Sequence, residues 1–396
     1  MLRFLTAGES HGQALVVIVE GLPAGLRVTA KDVQDELARR RLGFGRGPRM
    51  RFEVDEVTLV SGVRHGRTLG SPLAIEIKNT EWPKWTERMD PAPGTPESVL
   101  TTPRPGHADL AGMQKYGFDD ARDVLERASA RETAARVAAG ALAKVLLAEL
   151  GCTVLSHTVQ LGDVIVPEGH RPGPGDLEAV DADEVRCLDA DTASAMVAAI
   201  KAAAKQGDSL GGVSEIVAYG VPLGLGSHVH WDRKIDGLLA QAVMSIQAVK
   251  GVELGAAFAQ AGMLGSVAHD AISFDAEDHA AGGFVRRTAR AGGVEGGITT
   301  GGLLTLRAAM KPLATLNRPV LETVDVVSHE TTVSFKERTD VTAVPAMGVV
   351  AEAMVALVLA TEALRKFGGD SVAEMVRNHD AFMAHLGETP SAAQGE

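Results

Sequence analysis

Cysteine is nearly absent: Cys152 and Cys187 are the only two in 396 residues. Two thiols cannot build a disulfide framework or a cysteine metal cluster, and they suit a reducing, cytoplasmic setting. Aromatic residues are scarce as well, at 4%. A surface that stacks the bases of single-stranded nucleic acid needs more of them. Basic excess is missing too, because the net charge is −12. That argues against a general DNA or RNA binder and fits an acidic, soluble surface. No long apolar run is free of charge. The longest, Ala346 to Leu364, contains Glu352 and Glu362 and reads as a buried core helix rather than a membrane span. Leu2 to Ala7 is too short for a signal peptide, with Glu9 and His11 directly behind it. Metal-site spacings (H-E-x-x-H, paired cysteines, EF-hand) are absent, as are a P-loop and a dinucleotide fingerprint. No protein-bound metal is therefore expected.

Glycine, in contrast, is plentiful at 44 residues, and its spacing exposes an internal repeat. Gly8-Glu9-Ser10-His11-Gly12 is followed by Gly21, Pro23 and Gly25. Gly207-Asp208-Ser209-Leu210-Gly211 is followed by Gly220, Pro222 and Gly224 at the same intervals. Gly62, Gly66, Thr68 and Gly70 match Gly293, Gly297, Thr299 and Gly301. Arg127-Ala128-Ser129 and Arg338-Thr339-Asp340 each precede a long apolar helix. The blocks keep their order, which points to a duplicated unit of strand hairpin, helix, glycine-rich loop, strand and long helix. Strands arrive as hairpins rather than as βαβ units, so the expected class is α+β. The expectation is one domain over 1–387, with pseudo-repeats of about 1–150 and 151–387, a site where they meet, and a loose tail at 388–396.

Local signals place the elements. Ala14 to Val19, Ile216 to Ala218, Leu73 to Ile77 and Leu303 to Leu306 read as strands. Thr29 to Arg40 reads as a helix with Thr29 at the N-cap and Asp32 at N3. Asp232 to Lys250 is its expected counterpart, ended by Gly251. The last long helix has Pro345 near N1 and Gly368-Gly369 at its end. Phe274 to Phe284 and Pro167 to Gly175 read as surface excursions.

Five segments have the residue types that chemistry needs. Ser129 and Glu132 have capping-box spacing at the head of an alanine-rich helix running to about Leu150. Arg127 and Arg131 there oppose the helix dipole unless an anion sits among them, so the segment reads either as an anion site or as a surface helix with solvated arginines. Gly8 to Gly12 matches a nucleophile elbow, but β-type residues follow it where a helix is required. Arg39 to Arg51 holds six arginines and no lysine. That composition suits bidentate binding of phosphate or carboxylate; a helix C-terminus and a nucleic-acid arm are its other readings. Pro103 to Asp109 is a stiff loop that could present His107 as a general acid. Lys311-Pro312-Leu313-Ala314-Thr315 is a second rigid loop, with a cation and a hydroxyl.

Five of these motifs, in this order, resemble the chorismate synthase family. They are Gly8-Glu9-Ser10-His11-Gly12 with Glu20-Gly21-Leu22-Pro23, the arginine run ending Gly45-Arg46-Gly47, Arg104-Pro105-Gly106-His107-Ala108-Asp109, Glu126 to Thr133, and Arg338-Thr339-Asp340. The resemblance spans Met1 to about Ser371. It implies a fold with a helical layer between two antiparallel four-stranded sheets, assembled as a homotetramer. It also implies loss of phosphate and a C6 proton from 5-enolpyruvylshikimate-3-phosphate, with reduced FMN as cofactor and no net redox change. Arg40, Arg46, Arg49, Arg131 and Arg338 would line the anion pocket, with Ser10 nearby. His11 would protonate the leaving phosphate, His107 would stand by the flavin, and Asp340 would relay the C6 proton through flavin N5. The implied flavin contacts are Arg127, Ala128, Ser129, Gln247, Ala248, Gly296, Lys311, Pro312, Leu313, Ala314, Thr315 and Arg338. NADPH would matter only as the source of flavin reduction, through Arg40 and Arg46 if it binds. No nicotinamide motif is visible, so an external flavin reductase is expected.

Overall fold

Period-two alternation builds the first sheet. Leu15, Val17 and Val19 are buried while Ile18 between them faces out, as a half-covered strand requires. The first half contributes β1 (Arg3–Ala7), β2 (Ala14–Glu20), β3 (Val57–Leu59), the short hairpin β4 (Val63–Arg64) and β5 (Arg67–Thr68), and β6 (Leu73–Lys78). Its sheet runs β1-β2-β6-β3, all antiparallel. The second half contributes β7 (Thr153–Leu161), β8 (Val164–Ile165), β9 (Gly212–Tyr219) and β10 (Val249–Leu254). After the hairpin β11 (Ile272–Phe274) and β12 (Phe284–Arg286) come β13 (Val294–Glu295), β14 (Ile298–Thr299) and β15 (Leu304–Met310). The second sheet runs β10-β15-β9-β7-β8, again antiparallel. The computed structural model describes residues 2–47, 55–277, 281–335 and 339–386. Arg49, Arg338 and the tail 388–396 lie outside these described residues.

The two sheets share one topology. Pairing β1 with β7, β2 with β9, β6 with β15 and β3 with β10 gives the same strand order twice. The glycine-rich loops repeat bond for bond. Thr68 Oγ1 donates to Pro23 O at 2.6 Å and accepts from Leu26 N at 2.9 Å. Thr299 Oγ1 donates to Pro222 O at 2.7 Å and accepts from Leu225 N at 2.8 Å. Gly25 N reaches Thr68 O and Gly224 N reaches Thr299 O, both at 2.9 Å. Gly62 and its counterpart Gly293 take φ of 82° and 78°, and a Cβ at either would strike backbone. Only glycine makes that turn.

Helices fill the space between the sheets. Ala30–Arg40 starts at a Thr29/Asp32 capping box. Thr133–Ala148 lies against Val344–Phe367, and a Cβ on Gly140 would stand 2.3 Å from Ala353 Cβ. Small residues at this crossing bring the two backbones close. Val344–Phe367 is apolar and long enough to cross a membrane, yet 89% of its most apolar window is buried inside the protein. It ends at Gly368, as its sequence predicts.

Three expectations need correction. The second sheet has five strands, because two-residue β8 extends it beyond β7. The helix expected over Asp232 to Lys250 is a 3-10 turn, Trp231–Arg233, followed by Ile235–Met244. Ala248 takes φ 66° in the turn that follows, and Gly251 lies within β10. The helix expected from Ser129 to Leu150 is also broken. Arg122–Ala128 ends before Ser129, a 3-10 turn covers Ala130–Glu132, and Thr133–Ala148 follows. Arg127 therefore sits in a last turn, where a cation suits the dipole. Ser129 Oγ does accept from Arg131 N, at 3.3 Å. Glu132 bonds Thr6, Arg136 and Gln247, so no capping box forms.

Candidate active site

The turn between β1 and β2 is made by Gly8. Its φ is 101°, and a Cβ there would lie 2.3 Å from Ala14 O. The turn is fastened beneath the helix Arg122–Ala128. Ser10 N donates to Glu126 O at 3.1 Å and His11 N donates to Glu126 Oε2 at 2.9 Å. Both Glu126 carboxylate oxygens lie 3.0 Å from His11 Nδ1. The His11 ring stacks on Trp85, with centroids 3.9 Å apart. Burial pushes the Glu126 carboxyl up, but its bonds to His11 and the charges of His11 and Arg122 outweigh that and hold it below the usual range. Ser10 is buried, with Ser129 Oγ 3.2 Å from its own Oγ. It sits between antiparallel strands, so the nucleophile-elbow geometry is absent.

The arginine run links the two long-helix starts. Buried Arg40 donates from Nε to Thr133 Oγ1 and from Nη2 to Ala130 O, both at 2.9 Å. Six residues on, Arg46 Nε lies 2.7 Å from Asp340 Oδ2, and Gly47 N donates to Asp340 Oδ1 at 2.6 Å. Val341 N donates to Gly45 O at 2.8 Å. Residues 40–47 thus run from Ala130 of the first half to Asp340 of the second.

The His107 loop meets the second half as well. Asp109, fully buried, accepts from Arg104 Nε at 2.8 Å and lies 2.5 Å from His107 Nδ1. Burial raises the Asp109 carboxyl, but the His107 and Arg104 bonds overcome it and hold it well below the usual carboxylate range. Arg104 Nη1 donates to Thr315 Oγ1 at 3.2 Å, and Lys311 Nζ donates to Gly106 O. Lys311 N donates to Ala248 O at 3.0 Å, while Gln247 Nε2 donates to Glu132 Oε2 at 3.0 Å. Ser209 Oγ, the counterpart of Ser10, donates to Leu313 O at 2.9 Å. His107, Gln247, Ala248 and the Lys311–Thr315 loop, with Pro312 and Ala314 inside it, therefore form one connected rim beside the Ser129–Glu132 turn.

Other expected site residues make contacts of their own. Arg127 donates to Gly8 O at 3.0 Å and to Thr6 O at 2.8 Å. Arg131 is buried against Asp55 and Asn79, with Nε 2.9 Å from Asn79 Oδ1. Both arginines therefore have protein partners of their own, rather than being solvated. Ala128 ends its helix beside Ser129. Gly296, in the β13–β14 turn, has open space around it, with nothing within 4 Å of a built Cβ.

Glu126, Trp85, Arg104 and Asp109 stand in the site without a role assigned from sequence. Asp109 had a local signal, two residues after His107. Glu126 and Trp85 had none, because their link to His11 spans most of the first half.

The comparisons with known proteins agree with one another. A family profile described as chorismate synthase matches residues 2–364. The chorismate synthase of Micrococcus luteus is 59% identical over 400 residues, covering 98% of this chain and 96% of its own. That of Kocuria rhizophila is 60% identical over 399 residues, covering 98% and 94%. A crystal structure of a chorismate synthase superposes with a TM-score of 0.78 at 38% identity, covering 98% of each chain.

Proposed function

The chain belongs to the chorismate synthase family, and we propose that its first-half histidine turn and second-half Lys311–Thr315 rim bind and process one substrate together. The reaction is the family's. It is a carbon–oxygen lyase step that eliminates phosphate 1,4 from 5-enolpyruvylshikimate-3-phosphate to give chorismate and ends the shikimate pathway. The family uses reduced flavin; that this chain binds reduced FMN at the rim is part of the proposal. The observation that best supports it is the run of contacts from Glu132 through Gln247, Ala248 and Lys311 to Gly106, which brings both halves to one rim.

Two features fit a flavin. Gln247 Oε1 is a buried acceptor without a partner, while its Nε2 is committed to Glu132. Open space stands at Gly296, where a side chain would otherwise project. When bound, reduced FMN supplies electron density to the allylic system of the substrate. The other roles fall to this chain. Arg40, Arg46, Arg49, Arg338 and Ser10 hold the phosphate and carboxylates, with Arg131 adding positive field from behind Asn79. His11, oriented by Glu126, protonates the departing phosphate. Asp340, held by Arg46 and Gly47 N, accepts the C6 proton. His107, held by Asp109, faces the flavin side of the site. Arg127 to Ser129, Gln247, Ala248, Gly296, Lys311 to Thr315 and Arg338 are the proposed flavin contacts.

The proposal extends to one domain of two pseudo-repeats, a homotetramer, a cytoplasmic setting and an external flavin reductase. Chorismate should form only with reduced FMN present. Turnover with oxidised FMN under air, or none with reduced FMN, refutes the assignment. Aerobic turnover with NADPH and FMN alone refutes the external reductase. His107→Ala should slow turnover and leave flavin affinity near wild type; lost affinity refutes the role given to His107.

A further inference from the structure

Two residues that transfer no proton themselves hold His11 in place. Glu126 grips it twice, through the backbone N–H at 2.9 Å and through Nδ1 at 3.0 Å. Trp85 backs the ring, its plane 23° from the imidazole plane. Arg122 closes the set. Its Nη1 donates to Glu126 Oε1 at 3.0 Å, and its guanidinium carbon stands 5.2 Å from the Trp85 ring centroid. Arg88 lies over the same indole at 5.5 Å. The Glu126 side chain is 2% exposed and that of His11 is 17% exposed.

This arrangement has a chemical consequence. With Nδ1 given to a carboxylate, proton transfer to a ligand is left to Nε2. The stacked indole restrains the ring against rotation out of this plane.

We propose that Glu126 and Trp85 are positioning residues that fix the His11 ring, so that Nε2 is the nitrogen delivering a proton to the leaving phosphate. The proposal rests on His11 being the acid. Among the described residues, the charged groups near the ring include Glu126 and Arg122 from the helix above, Arg88 from the Trp85 segment, and Glu9 on its own turn.

Trp85 supplies its own reporter. The chain has three tryptophans, so Trp82→Phe with Trp231→Phe leaves Trp85 alone. A protonated imidazole stacked on indole quenches its fluorescence by accepting an electron from the excited ring; a neutral one does not. In the full-length protein without ligands, Trp85 emission should rise as pH is raised through the titration of His11, and His11→Ala should abolish the rise. Glu126→Gln weakens the grip that holds the ring over the indole, so the size of the rise should fall by at least about twofold. In otherwise wild-type protein, Glu126→Gln and Trp85→Leu should each lower kcat at least about tenfold, with KM for the substrate within about twofold. A rise that persists in His11→Ala overturns the inference. So does a Glu126→Gln protein in which both the rise and kcat are unchanged, or a Trp85→Leu protein that raises KM alone. If the rise occurs and falls in Glu126→Gln but His11→Ala turns over at the wild-type rate, the positioning stands and the acid assignment falls.

Discussion

Removing the charge of Glu352 while keeping its shape is the sharpest test of what joins the two halves. Glu352 is fully buried on the helix Val344–Phe367. Arg39 reaches it at 2.7 and 3.0 Å, Lys144 at 2.5 Å, Arg186 at 3.1 Å and Ser156 Oγ at 2.6 Å. Glu36 and Asp181 complete the cluster, through Lys144 at 2.7 Å and Arg186 at 2.9 Å. Three cations thus face three carboxylates. Burial pushes the Glu352 carboxyl up, but the charges of Arg39, Lys144 and Arg186 prevail and hold it well below the usual range. Glu352→Gln leaves three cations against two anions in a site closed to water. Breaking a buried pair in this way costs about 3–5 kcal/mol. With about 0.8 kcal/mol/K of unfolding entropy for a chain this long, the melting temperature should fall about 4–6 °C. Calorimetry at one fixed scan rate measures this. Adding Lys144→Met restores two against two, so the double variant should recover at least about 1 kcal/mol over the sum of the single changes. A drop below about 1 °C for Glu352→Gln, or strict additivity in the double variant, refutes the charge-balance argument.

Two further outcomes follow from the same physical reasoning. Thr68→Val and Thr299→Val each strip a buried leucine N–H of its acceptor, so each should cost about 1–3 kcal/mol in calorimetric stability; a cost at only one site refutes equivalence of the two loops. Glu126, Glu132, Asp109 and Glu215 all sit below their ordinary values of 4.5, 4.5, 3.8 and 4.5. Unfolding raises their affinity for protons, so the stability they add is complete above about pH 4.5 and is lost as pH falls through their folded values; a melting temperature that stays flat from pH 6 to pH 3 contradicts this.

Much of the architecture was readable because its signals are local. Apolar runs beside glycine-rich segments marked β2 and β6, Thr29 and Asp32 marked a helix start, and the glycine spacing marked two equivalent loops. Where signals mixed, the reading failed. Ser129 and Glu132 have capping-box spacing, yet Glu132 is drawn to Thr6 and Gln247, and the helix breaks there. The Asp232 to Lys250 region stays apolar past Met244, but Ala248 turns into a positive φ to enter β10, a choice made by its neighbours rather than by its own propensity. The site was legible as residue types and illegible as partnerships. Arg127 and Arg131 read either as anion receptors or as solvated arginines; their bonds to Gly8 O, Thr6 O, Asn79 and Asp55 had no signal in the sequence.

By itself the chain specified the duplicated α+β unit, the positions of its turns and the family to which it belongs, because periodicity, positive-φ glycines and ordered motifs depend on neighbours a few residues apart. Only the tertiary structure decided which charges meet. Glu126 finds His11 across 115 positions, Asp340 finds Gly47 across 293, and Arg39 finds Glu352 across 313. Such pairings come from packing two sheets over one helical layer, where a buried charge must find a partner and nothing in the local sequence names it.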